Sequence, residues 1–159
     1  MTAKSISPDI HIHKGKRSAI FAGSFNPFTV GHASIVERGL ALFDHIVIAI
    51  GVNAHKHHSD AVTQAANILQ QYSGNSHVSV IVWPGLMVDL ARQLDIHFFL
   101  RGVRSVADYE YERNMADVNR RLAGVETVLL FSLPEHGAIS SSVVRELQSY
   151  GADVSDMLP

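Results

Sequence analysis

The sequence predicts one α/β domain built on a doubly wound parallel sheet of five strands. Two observations lead to this prediction: five short runs are almost continuously apolar, and helix-like patterns alternate with them along the chain. Strands that are apolar on both faces and alternate with helices are typical of a parallel sheet covered on both sides. With 159 residues, the chain is long enough for one such domain with a substantial core.

The five strands are expected at residues 18–22, 45–51, 78–82, 97–100 and 127–131, where β-branched and aromatic residues are frequent. The helices are expected at residues 32–42, 61–72, 86–94, 105–122 and 141–150. This regular alternation favours a Rossmann-like arrangement. Residues 1–17 are polar and lack the apolar core of a signal peptide, so we expect a disordered leader at 1–17 and one domain at 18–159.

Composition narrows the possible partners and the compartment. No apolar run approaches the roughly 20 residues that cross a bilayer, and a formal net charge of −2 argues against a general nucleic-acid binder. The chain has no cysteine, which fits a reducing cytoplasm. The histidines at 55, 57 and 58 suggest a metal site, but they lack regular ligand spacing and a neighbouring carboxylate pair. We therefore expect a cytoplasmic protein without membrane, nucleic-acid or protein-bound metal partners.

The segment from Gly23 to His32 connects the first strand to the first helix. It is rich in glycine and proline, and it places the Ser24 hydroxyl and the His32 imidazole close to the turn. Free backbone N–H groups and the positive end of a helix make such a turn a good phosphate site. The segment is neither a Walker A loop nor a Gly-x-Gly-x-x-Gly motif. An ordinary connection with a surface histidine therefore remains open on this segment alone.

Three other loops follow strands and carry cations or hydroxyl groups. The loop at 51–58 contains Lys56, the segment 101–104 contains two arginines, and the loop at 134–142 contains three serines. Ligands of open parallel sheets bind beyond the carboxyl ends of the strands, so all of these loops should converge at one edge. This convergence predicts an anion-binding site.

The arginines and serines each have a structural alternative. Arg101 leaves a buried strand, where its planar fork would suit a phosphate, and Arg104 stands at a helix start that disfavours a cation without an anionic ligand. Both could instead form ion pairs with Asp108 or Glu110. The serines could simply cap the last helix, although three of them exceed what one cap requires.

Taken together, these motifs resemble those of the nucleotidyltransferase superfamily, with its Gly-Ser/Thr-Phe-Asp/Asn-Pro…Gly-His loop and its late Ile-Ser-Ser/Thr-Ser/Thr motif. The block at 101–112, with Gly85-Leu86-Met87 and Asn119-Arg120, resembles more closely the bacterial phosphopantetheine adenylyltransferase family. The resemblance covers residues 18–159. Departures are Ala22, Asn26 and the stretch 57–64, where the family has Pro-x-Phe and a Glu-Glu-Arg helix start.

The resemblance implies transfer of the adenylyl group of ATP to 4′-phosphopantetheine, giving dephospho-coenzyme A and pyrophosphate. Catalytic roles would fall to His32, Lys56 and Arg101, and the acceptor would contact Ser24, Lys56, Met87 and Arg101. ATP would contact Ser24, Phe25, His32, Gly102, Val103, Arg104, Glu112, His136, Gly137, Ala138, Ile139, Ser140, Ser141 and Ser142. Mg²⁺ would be held mainly by ATP phosphates and water. A homohexamer is implied, with dephospho-coenzyme A or coenzyme A as product or inhibitor.

Two other functions are compatible with part of the pattern. A nicotinate or nicotinamide mononucleotide adenylyltransferase shares the first loop and the Ile-Ser-Ser motif but lacks the block at 101–112. A catalytically silent nucleotide sensor would not need the combination of Ser24, His32, Lys56 and Arg101.

Overall fold

The computed structural model describes residues 4–5, 17–52 and 58–159. Its elements in chain order are β1 Lys4–Ser5, β2 Ser18–Gly23, α1 Val30–Gly39, β3 His45–Gly51, α2 His58–Gln71, β4 Val78–Trp83, α3 Met87–Leu94, β5 Phe98–Val103, α4 Val106–Ala123, β6 Glu126–Phe131 and α5 Ser141–Ser149, with 3₁₀ turns at Pro134–His136 and Ser155–Met157. The predicted α/β class and all ten predicted strands and helices are confirmed.

The sheet has the strand order β1-β4-β3-β2-β5-β6. The five predicted strands, β2 to β6, are mutually parallel, and the two-residue strand β1 adds antiparallel to β4 at the edge. This short strand lies inside the segment predicted to be a disordered leader. Because residues 1–3 and 6–16 lie outside the described part, the leader as a whole stays a prediction.

The core occupies both faces of the sheet, as the continuous apolar runs predict. Alternate residues of a strand point to opposite faces: in β3, Ile46, Ile48 and Ile50 pack with α1 and α2, whereas Val47 and Ala49 pack with α3. All five of these side chains are at most 1% exposed. From β2 the chain builds the sheet outward through β3 to β4, and it then crosses back to place β5 on the other side of β2. The loops after β2 and β5 therefore lead away in opposite directions and leave a crevice between them.

The strand β5 continues three residues beyond its predicted end. Arg101, Gly102 and Val103 pair with Leu129, Leu130 and Phe131 of β6, so the arginine lies within the strand and not in the loop after it. The sequence prediction was wrong here because it treated a charged residue as the end of a buried strand. A carboxylate from α4, described below, makes this position tolerable.

The helix α1 begins at Val30 and ends at Gly39, earlier at both ends than predicted. A Cβ on Gly39 would lie 2.5 Å from Leu100 Cδ2 and 2.9 Å from Ile46 Cδ1, so glycine allows the helix to lie close against the sheet. His32 is consequently the third residue of the helix. Among the helices of the described segments, none is long and apolar enough to cross a membrane.

Candidate active site

The loop after β2 is shaped by an aromatic side chain that folds back onto the end of the strand. Phe25 has a φ of 44°, and its ring, 2% exposed, lies where a Cβ on Gly23 would come within 2.8 Å. Ring centroids of Phe21, Phe28 and His32 lie 5.0, 5.4 and 5.1 Å away. Glycine is thus required at position 23, and Phe25 offers a ligand mainly its backbone.

His32 is held by a capping box at the start of α1. The backbone N–H of Thr29 donates to His32 Nδ1 at 3.0 Å, while the Thr29 hydroxyl accepts from the backbone N–H of His32 at 3.4 Å. Burial, and then the charges of Arg104 and Arg101, lower the pKa of His32 to about 4. The imidazole is therefore neutral at pH 7, and because Nδ1 accepts a hydrogen bond, Nε2 carries the proton.

Arg101 is fixed on both sides by protein groups. Its Nε and Nη2 donate to the Glu112 carboxylate of α4 at distances of 2.7 to 3.0 Å, and its Nη1 donates to the carbonyl of Ala22 at the end of β2. The Arg101 side chain is 29% exposed and that of Glu112 is 9% exposed. The alternative partners considered from the sequence, Asp108 and Glu110, do not hold this arginine.

Arg104 does form the alternative ion pair. Its backbone N–H and its Nε both donate to Asp108 Oδ2 at 3.1 Å, and its Nη1 reaches the Ile139 carbonyl at 3.4 Å. Burial would raise the pKa of the Asp108 carboxyl, but the hydrogen bonds and charge of Arg104, with the charge of Arg101, hold that pKa below its usual range. Arg104 therefore links the start of α4 to the loop before α5.

The three serines divide their roles. Ser140 caps α5, since its Oγ accepts from the backbone N–H of Val143 at 3.2 Å, which confirms the capping alternative for this one residue. Ser141 Oγ donates to the Pro27 carbonyl at 2.8 Å and so joins α5 to the loop after β2. Ser142 Oγ accepts from Arg145 at 3.3 Å.

Arg145 is the residue that sequence reasoning missed. Its Nη1 donates to the Asn26 carbonyl, so a second bond from α5 holds the same loop. The signal was available in the sequence, because a cation in the first turns of a helix is disfavoured by the helix dipole unless it has an acceptor elsewhere. Gln64 of α2 supports the other side of the loop through a 3.4 Å bond to Asn26 Oδ1.

These side chains border two adjoining cavities at the carboxyl ends of the strands. The first has a volume of about 510 Å³ and the second about 360 Å³. Their common wall consists of Ala22, Gly23, Ser24, Arg101, Tyr111 and Glu112. The predicted convergence of the loops at one edge is thus confirmed for the described residues.

The two cavities differ in chemical character. The first extends from the common wall along apolar side chains of α3 and the residue before it, of β5 and of α4, namely Leu86, Met87, Val88, Phe99, Met115, Val118 and Leu122. The second is polar, and His136 at its rim has a buried Nδ1 with no hydrogen-bond partner among the described residues. The first suits an elongated molecule with apolar segments, and the second suits a polyanion.

Most residues predicted to contact ATP line the second cavity: Ser24, Phe25, His32, Gly102, Arg104, Glu112, His136, Ile139, Ser140, Ser141 and Ser142. Val103, Gly137 and Ala138 are not part of this lining, and Val103 is buried at 2% exposure. Of the residues predicted for the acceptor, Ser24, Met87 and Arg101 line the first cavity. Lys56, like His55 and His57, lies outside the described residues.

The described residues contain no cluster of three histidine, cysteine or acidic side chains placed to hold a metal ion. The two carboxylates of the second cavity, Asp108 and Glu112, are each paired with an arginine. A divalent cation in this part of the site would therefore depend on oxygen atoms of its ligand and of water.

Comparison with known proteins places the chain among nucleotidyltransferases. Residues 20–147 match the cytidylyltransferase-like family. A phosphopantetheine adenylyltransferase of Porphyromonas gingivalis is 52% identical over 145 residues, covering 91% of this chain and 95% of that protein. Phosphopantetheine adenylyltransferases of Bacteroides thetaiotaomicron and Oenococcus oeni are 44% and 37% identical, covering 90% and 89% of this chain and 95% and 90% of those proteins.

A solved structure supports the fold. The chain resembles a bifunctional NMN adenylyltransferase/ADP-ribose pyrophosphatase of Francisella tularensis, solved with AMP and a manganese ion, with a TM-score of 0.63 and 12% identity. The match covers 90% of this chain but only 44% of that larger one. At this identity the likeness concerns the fold alone.

Proposed function

The chain belongs to the cytidylyltransferase-like family and, within it, to the phosphopantetheine adenylyltransferases, and from this premise we propose how its site carries out the reaction. The reaction transfers the adenylyl group of ATP to 4′-phosphopantetheine, giving dephospho-coenzyme A and pyrophosphate in coenzyme A biosynthesis. The observation that supports the residue roles is the pair of adjoining cavities, one polar and one largely apolar, with a common wall.

The second cavity takes ATP and the first takes phosphopantetheine. The pantetheine arm lies along the apolar side chains of the first cavity, which includes Met87. Its phosphate lies at the common wall, within reach of Ser24 and Arg101, and Lys56 serves the same phosphate. The wall is where an acceptor phosphate and the α-phosphorus of ATP can meet, and such positioning is the main requirement of phosphoryl transfer.

The chemistry needs no protein nucleophile. An oxygen of the acceptor phosphate attacks the α-phosphorus of ATP, a new P–O bond forms, and the bond to the departing pyrophosphate breaks. His32, held neutral by its burial and by the charges of Arg104 and Arg101, donates its Nε2 proton in a hydrogen bond to the charge that develops. Arg104 and the N-terminus of α5, with its serines, stabilise the β- and γ-phosphates.

Mg²⁺ enters as part of the nucleotide substrate. The polar groups of the second cavity, among the described residues, are arginine, histidine and hydroxyl side chains and the backbone N–H groups at the start of α5, all of which can bind anions. Both carboxylates there are neutralised by arginines. This donor set fits a magnesium–triphosphate complex in which the phosphates and water hold the metal. The metal then offsets part of the triphosphate charge.

We further propose that the chain forms a homohexamer and that dephospho-coenzyme A or coenzyme A binds as product or inhibitor. The assembly is supported by two large apolar side chains in the first turn of α4 that are exposed and line neither cavity, Val106 at 75% and Tyr109 at 46% exposure. Apolar groups concentrated on one helix usually mark an association surface, and closed symmetric assemblies are the common outcome.

The function is tested by measuring pyrophosphate release from Mg-ATP with phosphopantetheine and, in parallel, with nicotinate mononucleotide. We expect turnover with phosphopantetheine only. Arg101→Ala should raise the KM for phosphopantetheine more than that for ATP. Arg101→Lys should recover only part of the loss, because the ammonium group of lysine cannot make the two parallel hydrogen bonds of a planar guanidinium. Arg92→Ala, an exposed arginine outside both cavities, is the matched control. Preferred use of nicotinate mononucleotide would overturn the proposal.

A further inference from the structure

Glu112 stands at the common wall of the two cavities in an unusual setting for a carboxylate beside bound phosphates. Its side chain is only 9% exposed, and both of its oxygens accept hydrogen bonds from Arg101. A buried, unpaired carboxylate here would be strongly unfavourable and would repel the nucleotide. Its setting is therefore that of a partner for the arginine.

The hydrogen bonds of Arg101 indicate what this partnership does. A guanidinium has five N–H donors. Nε and one N–H of Nη2 are directed to Glu112, and one N–H of Nη1 is directed to Ala22. Among the described residues this leaves one N–H on Nη1 and one on Nη2 without an assigned acceptor. Two such donors on neighbouring nitrogens can bind a phosphate while the bonds to Glu112 and Ala22 are kept.

The charge balance of the Arg101–Glu112 pair also supports a role in positioning the phosphate. With Glu112 as its neighbour, Arg101 presents directed donors with little excess positive charge, so it aligns a phosphate without binding it as tightly as an isolated cation would. An arginine side chain has several rotatable bonds, and without the carboxylate only the Ala22 carbonyl would fix its guanidinium. The alignment of the fork thus depends on Glu112.

We infer that Glu112 is a positioning residue that acts through Arg101 on the acceptor phosphate. The inference rests on the proposed function, since it assigns the acceptor phosphate to Arg101. It differs from the role in ATP binding that the family resemblance implies for Glu112. The two roles make different predictions about which kinetic constant changes.

A double-mutant cycle of Glu112→Gln and Arg101→Lys tests the inference. Glutamine has the size of glutamate but carries an NH₂ group that opposes the guanidinium donors. We expect Glu112→Gln to lower kcat by about 10- to 100-fold through misalignment of the acceptor, with the KM for ATP unchanged. In the Arg101→Lys background the same change should lower kcat by less than about threefold, because residues that act as one unit are not additive.

Two further variants make the result unambiguous. Glu112→Asp keeps the charge and should recover part of kcat; if Glu112→Gln does not fold, Glu112→Asp replaces it in the cycle. Glu110→Gln makes the same charge change at an exposed position of α4 and should behave as wild type. Equal loss in both Arg101 backgrounds, or a raised KM for ATP as the main effect, would overturn the inference. An inactive wild type would overturn the proposed function itself and this role with it.

Discussion

His32→Gln separates the proposed catalytic role of this residue from its structural role. Glutamine is a common third residue of capping boxes, so its side-chain oxygen can accept the Thr29 N–H that His32 Nδ1 accepts in the wild type. The helix start is thereby preserved while the imidazole is removed. His32→Ala, by contrast, also leaves the Thr29 N–H without its acceptor, which should cost about 1 kcal/mol of stability at any pH.

The pH dependence of stability follows from the depressed pKa of His32. The pKa is about 4 in the folded chain against the ordinary value of 6.5, and each pKa unit corresponds to about 1.4 kcal/mol. Between these two values the unfolded chain binds a proton that the folded chain does not, so stability is lost as the pH falls. The wild type should lose about 3 kcal/mol between pH 7 and pH 4 relative to His32→Gln.

Urea unfolding at matched protein concentration and several pH values measures this difference, since acidic residues titrate equally in both proteins and cancel. Turnover should fall by about 10²- to 10³-fold in His32→Gln, the usual effect of removing one donor to a developing charge. Parallel stability curves for the two proteins between pH 4 and 7 would refute the buried, neutral histidine. Near-normal turnover would remove His32 from the mechanism.

Two further predictions concern the loop and the assembly. Gly23→Ala places a Cβ 2.8 Å from the Phe25 ring and should lower the free energy of unfolding by about 1–3 kcal/mol in urea titrations. Gly31→Ala is the control, because a Cβ there would lie 3.6 Å from its nearest neighbour. Equal stability of the two variants would contradict the steric argument. Tyr109→Glu should break up the proposed homohexamer in light scattering because it places a charge on the exposed face of α4. Tyr150→Glu, at an 83% exposed position, should leave the assembly intact. A wild-type monomer would end the proposal of an assembly.

The fold was predictable because its signals are local and repeated. A continuous apolar run predicts each buried strand, and β3 was predicted with its observed bounds, 45–51. Boundaries failed where tertiary contacts decide them: β5 continues through Arg101 because Glu112, eleven residues later, neutralises the charge. No pattern within the strand itself contains that information.

The site was predictable only at the level of residue type. Cations, hydroxyl groups and a glycine-rich turn at strand ends pointed to an anion site, and most of them line the second cavity. Partnerships between distant residues were not predictable, such as the bonds from Ser141 to Pro27 and from Arg145 to Asn26, which span more than a hundred residues. The protonation of His32 was likewise hidden, because it depends on burial and on a backbone N–H.

These partnerships give the described part of the site a character that its composition does not suggest. Arg101 and Arg104 each have a carboxylate partner, and His32 is neutral at pH 7, so the second cavity has little excess positive charge. Under the proposed assignment of this cavity to ATP, we expect directed N–H and O–H donors and the N-terminus of α5 to recognise the triphosphate more than net charge does. Directed donors favour one geometry over others, whereas an excess of charge would favour tight binding of any polyanion, pyrophosphate included. Directed donors therefore suit a site that must align two phosphates, whereas an excess of positive charge would slow the release of pyrophosphate.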